Sequence, residues 1–148
     1  MMINSIQHRR SVRNFLDQPV EEAKLNEILE AARMAPSGNN KQPWFFIVVR
    51  DEKMRNEVAA ATNNQMWIAR APVVIVAVAD MLARSEDYAG MVVDEENSNF
   101  DVKRIVRDTS IAVTHILLEV DHQGLGACWC GGLTQKNIKP VLGIPQDK

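Results

Sequence analysis

The sequence predicts a domain of mixed helix and strand, α/β or α+β, and three observations carry that prediction. Apolar residues recur at helical spacing in two long stretches. Two short apolar, β-branched runs, Phe45 to Val49 and Val73 to Val78, read as buried strands. Helices and strands alternate, yet no Gly-x-Gly-x-x-Gly follows a strand and opens a helix, so the pattern is not that of an obvious Rossmann domain.

The elements follow in order. Ile3 to His8 forms a short helix leading into a basic run, and Pro19 breaks the chain. From Val20 to Ala35, Leu25, Ile28, Leu29 and Ala32 fall on one helical face. Pro36 stops that helix, and Pro36-Ser37-Gly38-Asn39-Asn40 is a loop. The first strand comes next, then a helix from Glu52 to Ala61 that ends near Asn63-Asn64. Pro72 opens the second strand, and Arg84 to Asn99 is a polar loop or cover segment. Val102 to Val120 is the clearest helix. Its apolar stripe is wide enough for burial on most sides, and Gly124 stops it. Leu125 to Cys130 is a third strand, closed by Gly131-Gly132. Thr134 caps a last short helix that Pro140 should shorten or kink.

Bulk properties narrow the function. The chain has 148 residues and a net charge of −2, with acidic and basic residues interspersed, and reads as a single domain over 1–148. Neither a nucleic-acid-binding surface nor a polybasic membrane patch is expected. Met1 to Ser5 does not look like a leader, and the longest apolar run, Val73 to Ala79, is too short to cross a bilayer. A cytoplasmic protein is expected. Cys128 and Cys130 stand too close for a good disulfide and are too few for a closed zinc site, so they read as reduced thiols.

Three segments could carry chemistry. In Arg9-Arg10-Ser11-Val12-Arg13, three guanidiniums repel one another unless an anion sits among them. Extended backbone would put Arg9, Ser11 and Arg13 on one side and Arg10 on the other. In Pro36 to Trp44, small residues let a backbone approach a planar ligand, and Asn40 and Gln42 can pair with a heteroaromatic edge. Gly131 and Gly132 expose main-chain N–H groups beside Cys130 at a strand exit. Taken singly, each is as well explained by a solvated face, a plain loop or a turn. His8, His115 and His122 are dispersed, and His115 reads as a satisfied core or interface residue. Asp108 and Glu119 read as solvated.

In this order and spacing the segments resemble the nitroreductase family. The basic run is similar to its Arg-Arg-Ser-x-Arg signature, and Pro36 to Trp44 to its Pro-Ser-x-x-Asn-x-Gln-Pro-Trp signature. Ala71 to Val76 resembles its second strand, Gly124 to Gly131 its Gly-Leu-Gly-x-Cys-Trp-x-Gly strand, and Leu142-Gly143-Ile144-Pro145 its late turn. The resemblance implies a three-layer α+β fold, a central mixed or antiparallel sheet flanked by helices, and a homodimer with FMN at the subunit interface. It implies that Arg9, Arg10, Ser11 and Arg13 hold the FMN phosphate and ring. Pro36, Ser37, Gly38 and Asn40 would approach from the other subunit, and Cys130, Gly131 and Gly132 would lie near the ring.

The implied reaction is a ping-pong cycle. NADH or NADPH reduces FMN, and a small-molecule acceptor such as a nitroaromatic or quinone is reduced in turn, with no catalytic acid or base required. Reductive dehalogenation, flavin fragmentation or FMN binding with little turnover are the alternatives on the same fold. Family chains usually continue beyond the late turn through another strand to a late basic residue. This sequence ends at Lys148, so an unpaired sheet edge and a weaker phosphate clamp are expected.

Overall fold

Pro36, Gly124 and Gly143 stand just beyond the ends of three of the helices. The computed structural model describes residues 2–148; Met1, the first residue of the Met1 to Ser5 stretch that does not look like a leader, lies outside them. Helix α1 spans Asn4–His8, α2 Glu22–Arg33, α3 Glu52–Ala61, α4 Phe100–His122 and α5 Gln135–Leu142. Strands β1, Trp44–Val49, and β2, Val74–Ala79, pair antiparallel from Trp44↔Ala79 to Val49↔Val74. The arrangement is α+β.

Side-chain caps settle the ends that periodicity left open. Asp51 accepts the Met54 N–H at the start of α3, and Asn99 accepts the Asp101 N–H at the start of α4. Gly124 takes a left-handed φ of 73°, and the Leu125 N–H returns to Val120 O, closing α4 as expected. Pro140 is tolerated inside α5 because the helix is only eight residues long and Pro140 is exposed.

The core is arranged around α4. Ile28, Ala32 and Ala35 pack against Ala112, Ile116 and Val120, with Trp44, Phe46 and Ile75 of the sheet against the same cluster. The alanines let α2 and α4 approach closely. His115 Nδ1 lies 3.1 Å from Ala31 O, so the histidine is satisfied within this interface. A second cluster joins Met81 and Val93 to Val102 and Ile105. It fastens the segment expected as a cover, Arg84 to Asn99, in which a single helical turn forms at Glu86–Tyr88, just after another at Met81–Ala83. A third cluster joins β1 to α3 and α5 through Val49, Val58 and Ile138.

Two strand expectations need correction. Both strands were expected to be buried, yet only Val49 and Val78 are fully so, and Phe45 is 52% exposed. A two-stranded ribbon leaves one edge of each strand unpaired, so it cannot bury itself. Beside β1 a groove of about 780 Å³ runs between Leu25, Leu29, Val48, Met54 and Leu142. The third strand, Leu125 to Cys130, does not form among the described residues. A single parallel bridge, Ser11↔Ala127, stands in its place. The segment pairs with neither free edge of the β1–β2 ribbon, and Gly126 and Ala127 favour strand formation weakly.

Among the described residues no helix is long and apolar enough to cross a membrane.

Candidate functional site

The basic run leaves α1 at His8 and divides its three arginines among different partners. Arg10 folds back, and its Nη1 donates to the carbonyls of Gln7, His8 and Arg9 at 3.0, 3.1 and 2.8 Å. It therefore satisfies the orphan carbonyls at the helix end. Arg13 lies over the Trp67 ring, 5.6 Å from its centroid. Arg9 lines a cleft of about 230 Å³ between the end of α1, the C-terminal half of α4 and Leu125 to Ala127. Among the described residues neither Arg9 nor Arg13 makes an ion pair with a carboxylate. Arg10 and Asp121 line the same cleft, and the Arg9 and Arg13 guanidiniums, which make no ion pair among the described residues, can take an anionic ligand such as a phosphate near this glycine-lined segment.

The first and third sequence segments meet directly. The Val12 N–H donates to Ala127 O at 2.9 Å, alongside the Ser11↔Ala127 bridge. This approach requires a glycine. A Cβ on Gly126 would lie 2.9 Å from Val12 Cγ2 and 3.0 Å from Val12 Cβ. The Gly126→Ala variant is therefore expected to lose roughly 1–3 kcal/mol of stability by overpacking. Urea unfolding measures it, and a loss below about 0.5 kcal/mol would mean that the two segments separate freely.

A third stretch, which the sequence did not single out, holds the glycine pair. Asn63 Nδ2 donates to Gly132 O at 2.8 Å, and Gln65 Nε2 donates to Gly132 O at 3.2 Å and to Cys130 Sγ at 3.3 Å. Asn63 and Asn64 both take a left-handed φ of 56°, which turns the chain sharply after α3. Trp67, four residues on from Asn63, carries Arg13. The Asn-Asn pair was legible as a helix stop, but nothing local indicated that the loop would join Arg13 to Gly132.

The Pro36 loop sits elsewhere on α4. Asn39, Asn40 and Gln42 have φ values of 54°, 53° and 48°. Such conformations in non-glycine residues cost on the order of 1–3 kcal/mol each, least for Asn, and persist only where surroundings enforce them. Ser37 Oγ accepts the Gln42 N–H at 2.9 Å, and Asp108 Oδ2 accepts the Gly38 N–H at 3.1 Å. Asp108, expected to be solvated, is thus half-buried and engaged; helical periodicity could not reveal a partner 70 residues away. Pro36 and Asn40 are exposed. Asp108, which holds this loop, and Val120, which lines the basic cleft, stand about 18 Å apart along α4 at 1.5 Å per residue.

Beyond the loop, Tyr88 OH donates to Asp101 Oδ2 at 2.6 Å, and Arg84 and Arg104 approach Asp101 at 3.7 and 3.4 Å. The tyrosine hydrogen bond, helped by both guanidiniums, holds the Asp101 carboxyl below its ordinary range, and the same bond raises the Tyr88 hydroxyl. A carboxyl depressed in the folded state adds stability above its ordinary pKa, near 3.8, and that stability disappears as pH falls through the lower folded value. Tyr88→Phe is thus expected to lower stability at neutral pH, with the gap to the wild type narrowing below about pH 4. Urea unfolding at stepped pH tests this, and a gap independent of pH would contradict it. Among the described residues no cluster of three or more metal-binding side chains occurs, and Cys128 and Cys130 are free thiols.

The chain is an α+β domain in which two arginines without ion pairs among the described residues stand near one glycine-lined segment. A family model described as the nitroreductase family matches residues 6–148. An NADH dehydrogenase of Thermus thermophilus is 32% identical over 93% of this chain and 76% of its own length. An FMN reductase [NAD(P)H] of Bacillus subtilis is 35% identical over 99% of this chain and 57% of its own. Among solved structures, an FMN-dependent nitroreductase from Clostridium difficile R20291 superposes with a TM-score of 0.78 at 31% identity, over 99% of this chain and 80% of that one. This chain belongs to the nitroreductase family.

Proposed function

We propose that this chain is an FMN-dependent oxidoreductase that takes electrons from NADH or NADPH and passes them, in a ping-pong cycle, to a small electrophile such as a nitroaromatic or quinone. The observation that carries this reading is the pair Arg9 and Arg13, without carboxylate partners among the described residues and set beside the Gly126–Gly132 segment. It is supported by relatives named for FMN and NAD(P)H.

FMN supplies hydride acceptance and electron delivery, and the protein binds and orients it. Arg9 and Arg13 would hold its negative charge, as guanidiniums set in place before it binds. The Trp67 ring restricts Arg13, and Ser11 offers a hydroxyl next to them. Arg10 supports the run from behind by closing α1. Gly131 and Gly132 present bare main chain, while Asn63 and Gln65 hold the Gly132 carbonyl in place. Cys130 lies beside them, fixed by Gln65. No side chain is asked to act as acid or base.

Pro36, Ser37, Gly38 and Asn40 serve a flavin site through a second copy of the chain. Their anchor on α4 stands about 18 Å along the helix from the basic cleft, which favours presenting the loop to the flavin of a second copy. A homodimer in a three-layer arrangement also covers Val106 and Ile111, which are 45% and 39% exposed on α4. Residues 1–148 act in this reading as one FMN-binding domain.

The test is optical. The chain loaded with FMN should be yellow, bleach anaerobically with NADH or NADPH, and recover colour when a nitroaromatic or quinone is added. Colour without bleaching would make it a flavin carrier, and a chain that rejects FMN would refute the proposal.

A further inference from the structure

We infer that Asp108 is a positioning residue of the flavin site: it fixes the Ser37–Gln42 loop in the strained shape that meets the ring. This inference rests on the flavin reading above. The loop has three left-handed, non-glycine residues within four positions, Asn39, Asn40 and Gln42. Such a backbone relaxes unless it is tied at both ends. Both ties come from adjacent residues of α4. Asp108 Oδ2 accepts the Gly38 N–H at 3.1 Å, and Thr109 Oγ1 donates to Pro43 O at 3.2 Å. Ser37 Oγ closes the loop internally by accepting the Gln42 N–H.

The second tie is buried and belongs to the core, because Thr109 is 6% exposed and Pro43 O also accepts the Asp80 N–H. The first tie is half-buried and charge-assisted, and it lies on the stretch where Ser37 and Gly38 would face the ligand. A Cβ on Gly38 would lie 3.5 Å from Asp108 Oδ2, 3.7 Å from Arg84 Nη1 and 3.9 Å from Arg104 Nη2. Two guanidiniums therefore lie near the Gly38 end of the loop, and both approach Asp101, which accepts from Tyr88. Fixing the loop removes the ordering cost that a ligand would otherwise meet on binding.

The experiment compares wild type, Asp108→Ala and Asp108→Asn, the last keeping an oxygen acceptor. In the apoprotein, the Gly38 amide should exchange slowly with solvent in wild type and Asp108→Asn, and fast in Asp108→Ala. With FMN, Asp108→Ala should raise Kd about tenfold and alter the visible circular dichroism of the bound flavin. Asp108→Asn should return both to within about threefold of wild type. Unchanged Kd and dichroism in Asp108→Ala overturn the inference, as does fast Gly38 exchange in the wild-type apoprotein. If Asp108→Ala does not fold, wild-type exchange and the Asp108→Asn dichroism decide: slow exchange with wild-type dichroism supports the role, and any other result refutes it. A wild-type chain that binds no FMN refutes the flavin reading and with it this role, whereas FMN binding that ignores Asp108 refutes this role alone.

Discussion

Arg9→Ala is expected to weaken FMN binding by roughly 1.5–3 kcal/mol, about ten- to hundredfold in Kd. Arg9 lines the cleft beside Leu125 to Ala127 together with Arg10 and Asp121, and it makes no ion pair among the described residues, so its guanidinium can turn to a phosphate. A charge-assisted bond in a partly enclosed cleft is worth more than a surface pair. Arg10→Ala is the informative comparison. Its guanidinium already holds three carbonyls at the end of α1, so its loss should lower stability before it lowers affinity. Titration of apoprotein with FMN, followed by flavin fluorescence, separates the two. Retention of wild-type affinity in Arg9→Ala would show that the phosphate is held elsewhere.

Ile28→Ala should cost roughly 2–5 kcal/mol, a large share of the 5–15 kcal/mol typical of a whole domain. Ile28 is 2% exposed at the centre of the α2–α4 interface. Its neighbours in the buried cluster include Ala32, Ala35 and Ala112, whose short side chains cannot swing in to fill the space. The cavity should therefore persist rather than collapse. Urea unfolding should show a lower midpoint with an unchanged m value. Leu16→Ala, on a side chain 77% exposed, is the control and should change stability by less than about 0.5 kcal/mol. A cost below 1 kcal/mol at Ile28 would mean that α2 closes onto α4.

Legibility in the sequence followed the range of the interaction responsible. Helix α4 was expected from Val102 to Val120 and runs from Phe100 to His122, because a 3.6-residue repeat of apolar side chains is local. Its first residues were missed because the start is set by the Asn99 cap rather than by periodicity. The Leu125 to Cys130 strand failed for the opposite reason. A strand exists only with a partner, and composition cannot say whether one is present. The nitroreductase family was legible because its motifs are short and keep their order. The roles of Asp108, Asn63 and Gln65 were not, since each depends on a contact made 65 or more residues away.

The basic run shows the same division within five residues. By itself the sequence determined that three guanidiniums are crowded between Arg9 and Arg13 and that like charges so close need partners. Arg10 is satisfied locally, and tertiary structure alone decided the surroundings of Arg9 and Arg13. Arg10 goes to the carbonyls of its own helix, Arg13 to the face of Trp67, and Arg9 to an open cleft against α4. The physical reason is that repulsion depends on spacing along the chain, which is written in the sequence. Its relief depends on what folding brings within a few ångströms, and that is settled only when α1, α4 and the Asn63–Trp67 loop are packed together.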